Sequence, residues 1–205
     1  MARYTGPKAR LCRRFGENIF ETPKYDKILE RKNYAPGEHG QGFRKRESDY
    51  AVHLKEKQKL RFMYGLMERQ FKGYFKKADK MKGITGENLM TMLEMRLDNI
   101  VFRLGIGVTR PQARQIVRHN HILVNNKRVN IPSYQCKPGD IVEVVEKAKN
   151  KSMFVENAEL VGGTSRFEWL SFDGEKKSGE VLDIPTREQI PVKIDDRLIV
   201  EYYSK

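Results

Sequence analysis

The sequence predicts an α+β fold, and three observations along the chain support this prediction. Glycine and proline are closely spaced in the first 46 residues, which indicates a basic, irregular arm rather than a long helix. Apolar residues then recur at helical spacing between residues 48 and 119, which predicts amphipathic helices. From residue 121 onwards, short apolar runs alternate with turn residues, which is typical of short strands.

Three helices are predicted between residues 48 and 105. Ser48 or Asp49 caps the first helix, which ends at Tyr64-Gly65. The second covers residues 67 to about 81, and its aromatic residues follow helical spacing. The third runs from Thr85 to Gly105 with apolar residues along one face, which makes it the clearest helix of the sequence.

A fourth helix is predicted from Thr109, its N-cap, to about His119. Arg110, Arg114 and Arg118 lie along one line of this helix, beside its apolar side. No acidic residue occurs between positions 110 and 130 to pair with them, so we expect this line to bind an external anion. Arg114→Ala should then weaken that binding and change stability by less than about 0.5 kcal/mol.

The strands are predicted to be short. Residues 121–124 and 127–130 form a hairpin around Asn125-Asn126, which tolerate positive φ, and this places Lys127 and Arg128 beside the line of arginines. A polar helix is expected over residues 147–161. Further strands are expected over residues 141–145, 169–172, 180–184 and 198–203.

The charge is unevenly distributed. The chain has 40 Lys and Arg against 27 Asp and Glu, a formal net charge of +13. Residues 1–145 carry a net charge of +15, whereas residues 146–205 carry −2. A polarised charge of this kind favours an anionic partner, either nucleic acid or a membrane surface. The membrane is the weaker alternative, because no basic stretch also carries a strongly apolar helical face.

Several classes of protein are excluded by the composition. No run approaches the roughly 18 apolar residues of a membrane-spanning helix, and no apolar signal region follows Met1, so we expect a soluble, cytoplasmic protein. Only two cysteines occur, Cys12 and Cys136, which indicates reduced thiols rather than a disulfide framework. The four histidines lack the spacing of a metal site or of a catalytic motif.

The arm over residues 1–46 intersperses cations with aromatic rings, a composition that suits phosphates and stacked bases. A solvated, disordered basic arm explains the same composition, and the two interpretations agree if the arm becomes ordered on RNA. Its cations include Arg3, Lys8, Arg10, Arg13, Arg14, Arg31 and Lys32, and its rings include Tyr4, Phe15, Tyr25 and Tyr34.

Four stretches resemble the small RNA-binding module named after the fourth protein of the bacterial small ribosomal subunit. They read LEMRLDNIVFRLG (93–105), TRPQARQIVRH (109–119), ILVNNKRV (122–129) and KPGDI (137–141). Such modules also occur as appendages of pseudouridine synthases, RNA methyltransferases, tyrosyl-tRNA synthetases and heat-shock RNA binders. The module alone therefore leaves the function open.

The remainder of the chain resembles the ribosomal protein family itself. The stretches that carry this resemblance read MARYTGPK (1–8), CRR (12–14), APGEHG (35–40), SDY (48–50), LKEKQK (54–59), YG (64–65), ERQF (68–71) and EYYSK (201–205). The resemblance implies a helical domain over residues 47–92, completed by residues 175–205, with the RNA-binding module inserted as residues 93–174. It also implies early binding to the 5′ domain of the small-subunit ribosomal RNA, nucleation of assembly, and neighbouring ribosomal proteins as partners. No small-molecule substrate is expected.

We expect the RNA contacts to come from cationic, aromatic and amide side chains. These are Arg3, Tyr4, Arg10, Arg13, Arg14, Arg31, His39, Arg44, Lys45, Arg46, Tyr50, Lys57, Arg61, Arg69, Lys72, Arg110, Arg114, Arg118, Asn125, Lys127 and Arg128.

The arm departs from the family in one respect. Many members carry four zinc-binding cysteines there, whereas this arm holds only Cys12, which together with His39 cannot make a tetrahedral site. We therefore expect no metal and no cofactor. Without metal, nothing internal is expected to fix the arm, so it should be mobile until RNA binds.

One short motif of the sequence points to an enzyme instead of a ribosomal protein. Arg96-Leu97-Asp98 resembles the active-site core of pseudouridine synthases, but about 60 residues after the module are too few for a catalytic domain, so a helix-surface or buried ion-pair role is expected instead. The alternative of a stand-alone RNA modification or stress factor stays open at this point. Such a factor would not need the arm before residue 46.

Arg44-Lys45-Arg46 precedes the first predicted helix. Charge runs are usually solvated, and an ordinary basic linker is one interpretation. The resemblance implies another, because the matching stretch of the family lies at the messenger RNA entry channel. Replacing all three by Ala is then expected to spare assembly but to slow translation through a stable hairpin.

Overall fold

The computed structural model describes residues 4–42, 46–161, 167–174 and 176–204, and the α+β class predicted from the sequence is confirmed. The helices are α1 (Lys8–Phe15), α2 (Pro23–Arg31), a 3₁₀ turn (Glu38–Gln41), α3 (Asp49–Met63), α4 (Glu68–Ala78), α5 (Thr85–Glu94), α6 (Leu97–Arg103), α7 (Arg110–Arg118), α8 (Glu146–Lys149), α9 (Ser152–Val161) and α10 (Asp196–Ser204). The strands are β1 (Ile122–Val124), β2 (Lys127–Arg128), β3 (Ile141–Val144), β4 (Leu170–Asp173) and β5 (Ser178–Val181).

The chain divides into two compact units. The first unit contains residues 1–86 and 193–205, and the second contains residues 87–192. Strand β5 falls within residues 175–205, which were expected to complete the helical domain, but it pairs with β3 and β4 in the second unit. Among the described helices, none is long and apolar enough to cross a membrane.

The second unit contains a five-stranded antiparallel sheet in the order β2-β1-β3-β5-β4. The predicted hairpin is confirmed: Leu123 pairs with Arg128, and the turn residues Asn125 and Asn126 have φ of 50° and 62°. Asparagine tolerates this left-handed conformation better than most residues, which fixes the register of β2.

The core of the second unit joins this sheet to α6 and α7. Val101, Ile116, Val142 and Trp169 are almost completely buried in one apolar cluster. Strand β4 agrees with the predicted strand over 169–172, and β5 lies two to three residues before the prediction. The predicted polar helix is present as two shorter helices, α8 and α9.

The long helix predicted over residues 85–105 is wrong, because the chain leaves the helical conformation at Arg96 (φ −71°, ψ 138°). There the backbone pairs with a remote segment: Leu97 N–H donates to Tyr134 O, and Cys136 N–H donates to Met95 O, each at 2.9 Å. The guanidinium of Arg96 is completely buried. These tertiary bonds outweigh the helical periodicity, which continues through the break.

In the first unit, α10 packs against α3. The sequence prediction of a strand over 198–203 is wrong, although its β-branched and aromatic residues favour one. A helix places Ile199 in the core and stacks Tyr203 on Phe75 at 4.5 Å between ring centroids. Tertiary packing therefore determines that this segment is helical.

The arm is not irregular, since α1 and α2 occupy much of it. Leu11, Cys12 and Ile19 are buried, and Gly16 ends α1 with φ of 77°. Arg13 donates to the carbonyl oxygens of Tyr34 (3.0 Å) and Ala35 (3.1 Å). The expectation that nothing internal fixes the arm is therefore wrong over its described part.

Candidate nucleic-acid interface

Two of the three arginines predicted to line α7 are buried. Arg114 is 5% exposed, and its Nη1 lies 3.3 Å from Asp98 Oδ2. The same carboxylate accepts from Arg96 Nη2 at 2.6 Å and from Arg96 Nε at 2.9 Å. Asp98 therefore holds two guanidiniums, so of the two roles expected for Arg96-Leu97-Asp98, on the helix surface or in a buried ion pair, the structure shows the buried ion pair.

Arg110 belongs to a second buried network, centred on Glu94. The Glu94 carboxylate accepts from Arg103 at 2.7 and 2.9 Å and from Asn99 Nδ2 at 2.6 Å. Asn99 in turn accepts from Arg110 Nε at 3.0 Å, and the Arg110 guanidinium lies 4.5 Å from the centroid of the Phe102 ring.

The prediction of an exposed line of arginines is thus wrong for Arg110 and Arg114. The prediction considered acidic residues only between positions 110 and 130. The partners of Arg110 and Arg114 lie before position 110. Both networks join α6 to α7 and are fully enclosed, so they orient α7 rather than face a ligand. Arg118 alone of the three stays exposed.

Three exposed cations of the second unit lie on or close to the edge strand of its sheet. Arg118 ends α7 shortly before β1, while Lys127 and Arg128 form the edge strand β2. All three are exposed, and the described residues provide no carboxylate within ion-pair distance of them. Lys137, which was not among the predicted RNA contacts, is exposed in the turn before β3, and the KPGD stretch was the signal that could have indicated it.

The amide of Asn125 is engaged within the protein. Its Nδ2 donates to Asp140 Oδ1 at 2.8 Å, and its Oδ1 accepts from Ile141 N–H at 2.9 Å. The side chain therefore supports the hairpin turn, although the residue itself is exposed. These bonds give the amide an internal role, and its contact with RNA stays a prediction.

His121 does not add a cation to this edge near neutral pH. Partial burial, together with the nearby Lys151 and His119, lowers the pKa of His121 below its ordinary value. Its ring packs perpendicular to Phe154, with centroids 6.1 Å apart. The positive charge available to an anion here comes from lysine and arginine.

The first unit has its own exposed cations. On α4, Arg69, Lys72 and Lys76 recur at helical spacing and are exposed, although the sequence prediction omitted Lys76. The other exposed residues among those predicted are Arg10, Arg14, Arg31, His39 and Arg46.

Lys57 is not available at the surface. Its side chain is 3% exposed, its Nζ lies 2.9 Å from Glu68 Oε2, and the ring of Tyr202 lies 4.7 Å away. Tyr203 OH donates to the other oxygen of Glu68 at 2.7 Å. Its prediction as an RNA contact is therefore wrong, because Glu68 of α4 and the tyrosines of α10 cover its ammonium group.

This enclosed cluster shifts two pKa values in opposite directions. Burial alone raises the pKa of Glu68, but the hydrogen bonds from Lys57 and Tyr203 outweigh it and leave the pKa below its ordinary value. Burial and the same carboxylate raise the pKa of Tyr203. The cluster therefore keeps Glu68 ionised and Tyr203 protonated, as a stable ion pair requires.

Four further predicted residues make contacts within the first unit. Tyr4 meets the ring of Phe62 edge-on at 5.2 Å, and Arg13 lies 4.6 Å from the ring of Tyr34. Arg61 Nε donates to Gln58 at 2.8 Å, and burial lowers the pKa of its guanidinium. Tyr50, 61% exposed, lies 5.8 Å from the ring of Tyr202.

Three predicted residues, Arg3, Arg44 and Lys45, lie outside the described residues. Within the described ranges, no three His, Cys, Asp or Glu side chains are grouped so as to hold a metal ion. Burial raises the pKa of the thiols of both Cys12 and Cys136.

Comparison with known protein families gives two matches. The family described as "Ribosomal protein S4/S9 N-terminal domain" matches residues 3–94, and the one described as "S4 domain" matches residues 95–142. The second match contains the buried arginines of α6 and α7 and the cationic sheet edge, whereas Glu94 is the last residue of the first match.

Individual proteins match over the whole chain. "Small ribosomal subunit protein uS4" of Salinibacter ruber is 53% identical over 205 residues, which is all of both chains. The proteins of the same name from Acetivibrio thermocellus and Bacteroides fragilis are each 51% identical, again over all of both chains. The family resemblance inferred from the sequence motifs is confirmed, and the chain belongs to the uS4 family of small ribosomal subunit proteins.

Proposed function

We propose that this protein is a structural, non-catalytic component of the small ribosomal subunit, where it binds the ribosomal RNA. The observation that carries the proposal is its similarity, from end to end, to proteins named as small-subunit components. The exposed cations on α4 and at the sheet edge support RNA as the partner, because phosphate contacts dominate such interfaces.

The finer part of the proposal concerns where and when it binds. The protein binds the 5′ domain of the small-subunit RNA early and nucleates the folding of that domain, beside neighbouring ribosomal proteins. The internally fixed arm and the two compact units support this role, since preformed surfaces lose less conformational entropy on binding. A stand-alone RNA-modifying factor finds no support, because the relatives align over the arm as well as the module.

Binding is expected to be specific for the 5′-domain transcript and to depend steeply on salt. Each phosphate neutralised contributes roughly −0.7 to −0.9 to the slope of log K against log salt. Affinity for a 5′-domain transcript and for a 3′-domain transcript of equal length would be titrated between roughly 50 and 200 mM salt. Chemical probing of the 5′ transcript with this protein alone would report nucleation.

Equal affinity for the two transcripts would reduce the interaction to non-specific charge attraction. A flat salt dependence would contradict the electrostatic basis itself. If the chemical probing pattern of the 5′ transcript stays the same at saturating protein, the nucleating role is contradicted although binding is not.

We propose further that the stretch Arg44-Lys45-Arg46 lies along the path of incoming messenger RNA. Arg46 is exposed, and the stretch immediately precedes Ser48, whose hydroxyl caps α3. Three successive cations carry enough charge for some to bind ribosomal RNA while another contacts a moving single strand. The action is electrostatic and needs no nucleotide site.

Replacing Arg44, Lys45 and Arg46 together by Ala is expected to leave assembly intact and to slow translation through a stable hairpin. The measurement is the ratio of translation rates on structured and unstructured messages. Replacing Lys24, Lys27 and Lys80, which are exposed, removes the same charge elsewhere in the first unit and should leave that ratio unchanged. Identical ratios for both variants and the parent protein would contradict the messenger RNA role and support the interpretation of an ordinary basic linker.

A further inference from the structure

Two turns of the second unit meet at one largely buried carboxylate. The first is the hairpin turn at Asn125-Asn126, which Lys127 and Arg128 follow, and the second is the turn before β3, which begins at Lys137. The three cations are exposed, whereas Asp140 between the two turns is 9% exposed.

Hydrogen bonds from both turns converge on Asp140. Its Oδ1 accepts from Asn125 Nδ2 and its Oδ2 from the backbone N–H of Lys137, both at 2.8 Å. Asn125 completes the link, because its Oδ1 accepts from Ile141 N–H and its own N–H donates to Ile141 O, both at 2.9 Å. We call this set of bonds the Asn125–Asp140 clasp.

The clasp is anchored to the middle of the sheet. Gly139 N–H donates to Val181 O at 2.7 Å, and Val181 N–H donates to Asp140 O at 3.0 Å, so the second turn is fixed to the end of β5. Strand β2, in contrast, has only two residues and lies at the sheet edge. The position of the hairpin turn therefore depends on the clasp.

We propose that Asn125 and Asp140 are positioning residues for an RNA phosphate grip formed by Lys127, Arg128 and Lys137. The clasp holds cations of two separate turns in one arrangement before RNA arrives, so that they engage neighbouring backbone phosphates together. Preorganised cations lose less conformational entropy on binding than cations on independently moving turns. The inference rests on the proposed RNA-binding function.

The ligand of the grip is the sugar-phosphate backbone rather than a base edge. The Asn125 amide donates one hydrogen bond to Asp140 and accepts one from Ile141 N–H, which fixes its orientation, so its role in the grip is to position the turn. The remaining groups are one guanidinium and two ammonium groups, which suit phosphate oxygens. The contribution of the grip should therefore be the same for different sequences of the bound RNA.

The chain offers a matched pair of variants for the test. Asn125 and Asn126 are adjacent and exposed, and both have positive φ, but only Asn125 takes part in the clasp. Asn125→Asp keeps the acceptor for Ile141 N–H but replaces the donor to Asp140 by a repelling carboxylate. Asn126→Asp introduces the same charge in the same turn and leaves the clasp intact.

Affinity for the 5′-domain transcript is expected to fall roughly tenfold further in Asn125→Asp than in Asn126→Asp, the loss of about one net hydrogen bond. The magnitude of the salt slope should also decrease by roughly one, because fewer phosphates are engaged together. With Lys127, Arg128 and Lys137 replaced by Ala, the two Asp variants should bind equally, since no cation remains to be positioned.

Equal binding by the two Asp variants in the parent protein would overturn the positioning role, as would a difference that persists without the three cations. Failure of the unmodified protein to prefer the 5′-domain transcript would instead refute the proposed function. Should Asn125→Asp unfold, the positioning role can be tested with Asn125→Gly against Asn126→Gly. Glycine accepts the positive φ of both positions, and only the first of these variants removes the clasp.

Discussion

Glu94→Gln is expected to lower the free energy of unfolding of the second unit by about 3–5 kcal/mol, because it leaves a buried guanidinium without its counter-charge. Glu94 is completely buried and accepts from both Arg103 and Asn99. A glutamine of the same shape removes the negative charge and turns an amide N–H₂ group towards these donors.

The only tryptophan of the chain makes this loss measurable locally. Trp169 is buried in the core of the second unit, so its fluorescence during denaturant unfolding reports that unit. Glu146→Gln is the matched control, since its side chain is 85% exposed and it pairs only with Lys149 on the same helix. The control should change stability by less than about 0.5 kcal/mol. Similar losses for both variants would show that the Glu94 network contributes no more than a surface ion pair.

Replacing Arg118, Lys127 and Arg128 together by Ala is expected to weaken binding to the 5′-domain transcript roughly 100-fold at low salt, at about 1 kcal/mol for each lost contact. The magnitude of the salt slope should fall by about two to three. All three side chains are exposed, so the denaturant midpoint reported by Trp169 should stay nearly constant.

A control with the same loss of charge separates local contact from general attraction. Lys147, Lys151 and Lys176 are exposed cations of the second unit that belong neither to α7 nor to β2: they lie on α8, between α8 and α9, and in the turn before β5. Replacing these three by Ala should cost much less affinity. If both triple variants bind equally weakly, net charge rather than the sheet edge governs the interaction.

Local signals in the sequence predicted local structure well. Ser48 and Thr109 accept hydrogen bonds from Ala51 N–H and Gln112 N–H at the starts of α3 and α7, as their positions before apolar periodic segments indicated. The hairpin at Asn125-Asn126 was predicted equally well from the sequence. In each case the deciding interaction spans only a few residues.

Features decided by remote partners could not be predicted in the same way. Arg114 lies on α7 in a position typical of a surface cation, but its partner Asp98 is 16 residues away. The break at Arg96 depends on backbone bonds with Tyr134 and Cys136, and the helical form of α10 depends on packing against α3. Sequence periodicity indicates which residues are apolar, but it does not reveal which distant group satisfies a buried charge.

The position of α10 has a consequence for the order in which the chain folds during synthesis. The first unit is interrupted after residue 86 and resumes at residue 193, so the 106 residues of the second unit leave the translating ribosome before the last helix of the first unit does. At typical synthesis rates of about 5–20 residues per second, this delay lasts roughly 5–20 s. The second unit is continuous in sequence and can therefore complete its core while α3 still lacks Ile199 and Tyr203 as packing partners. The nascent protein thus matures from its middle outwards.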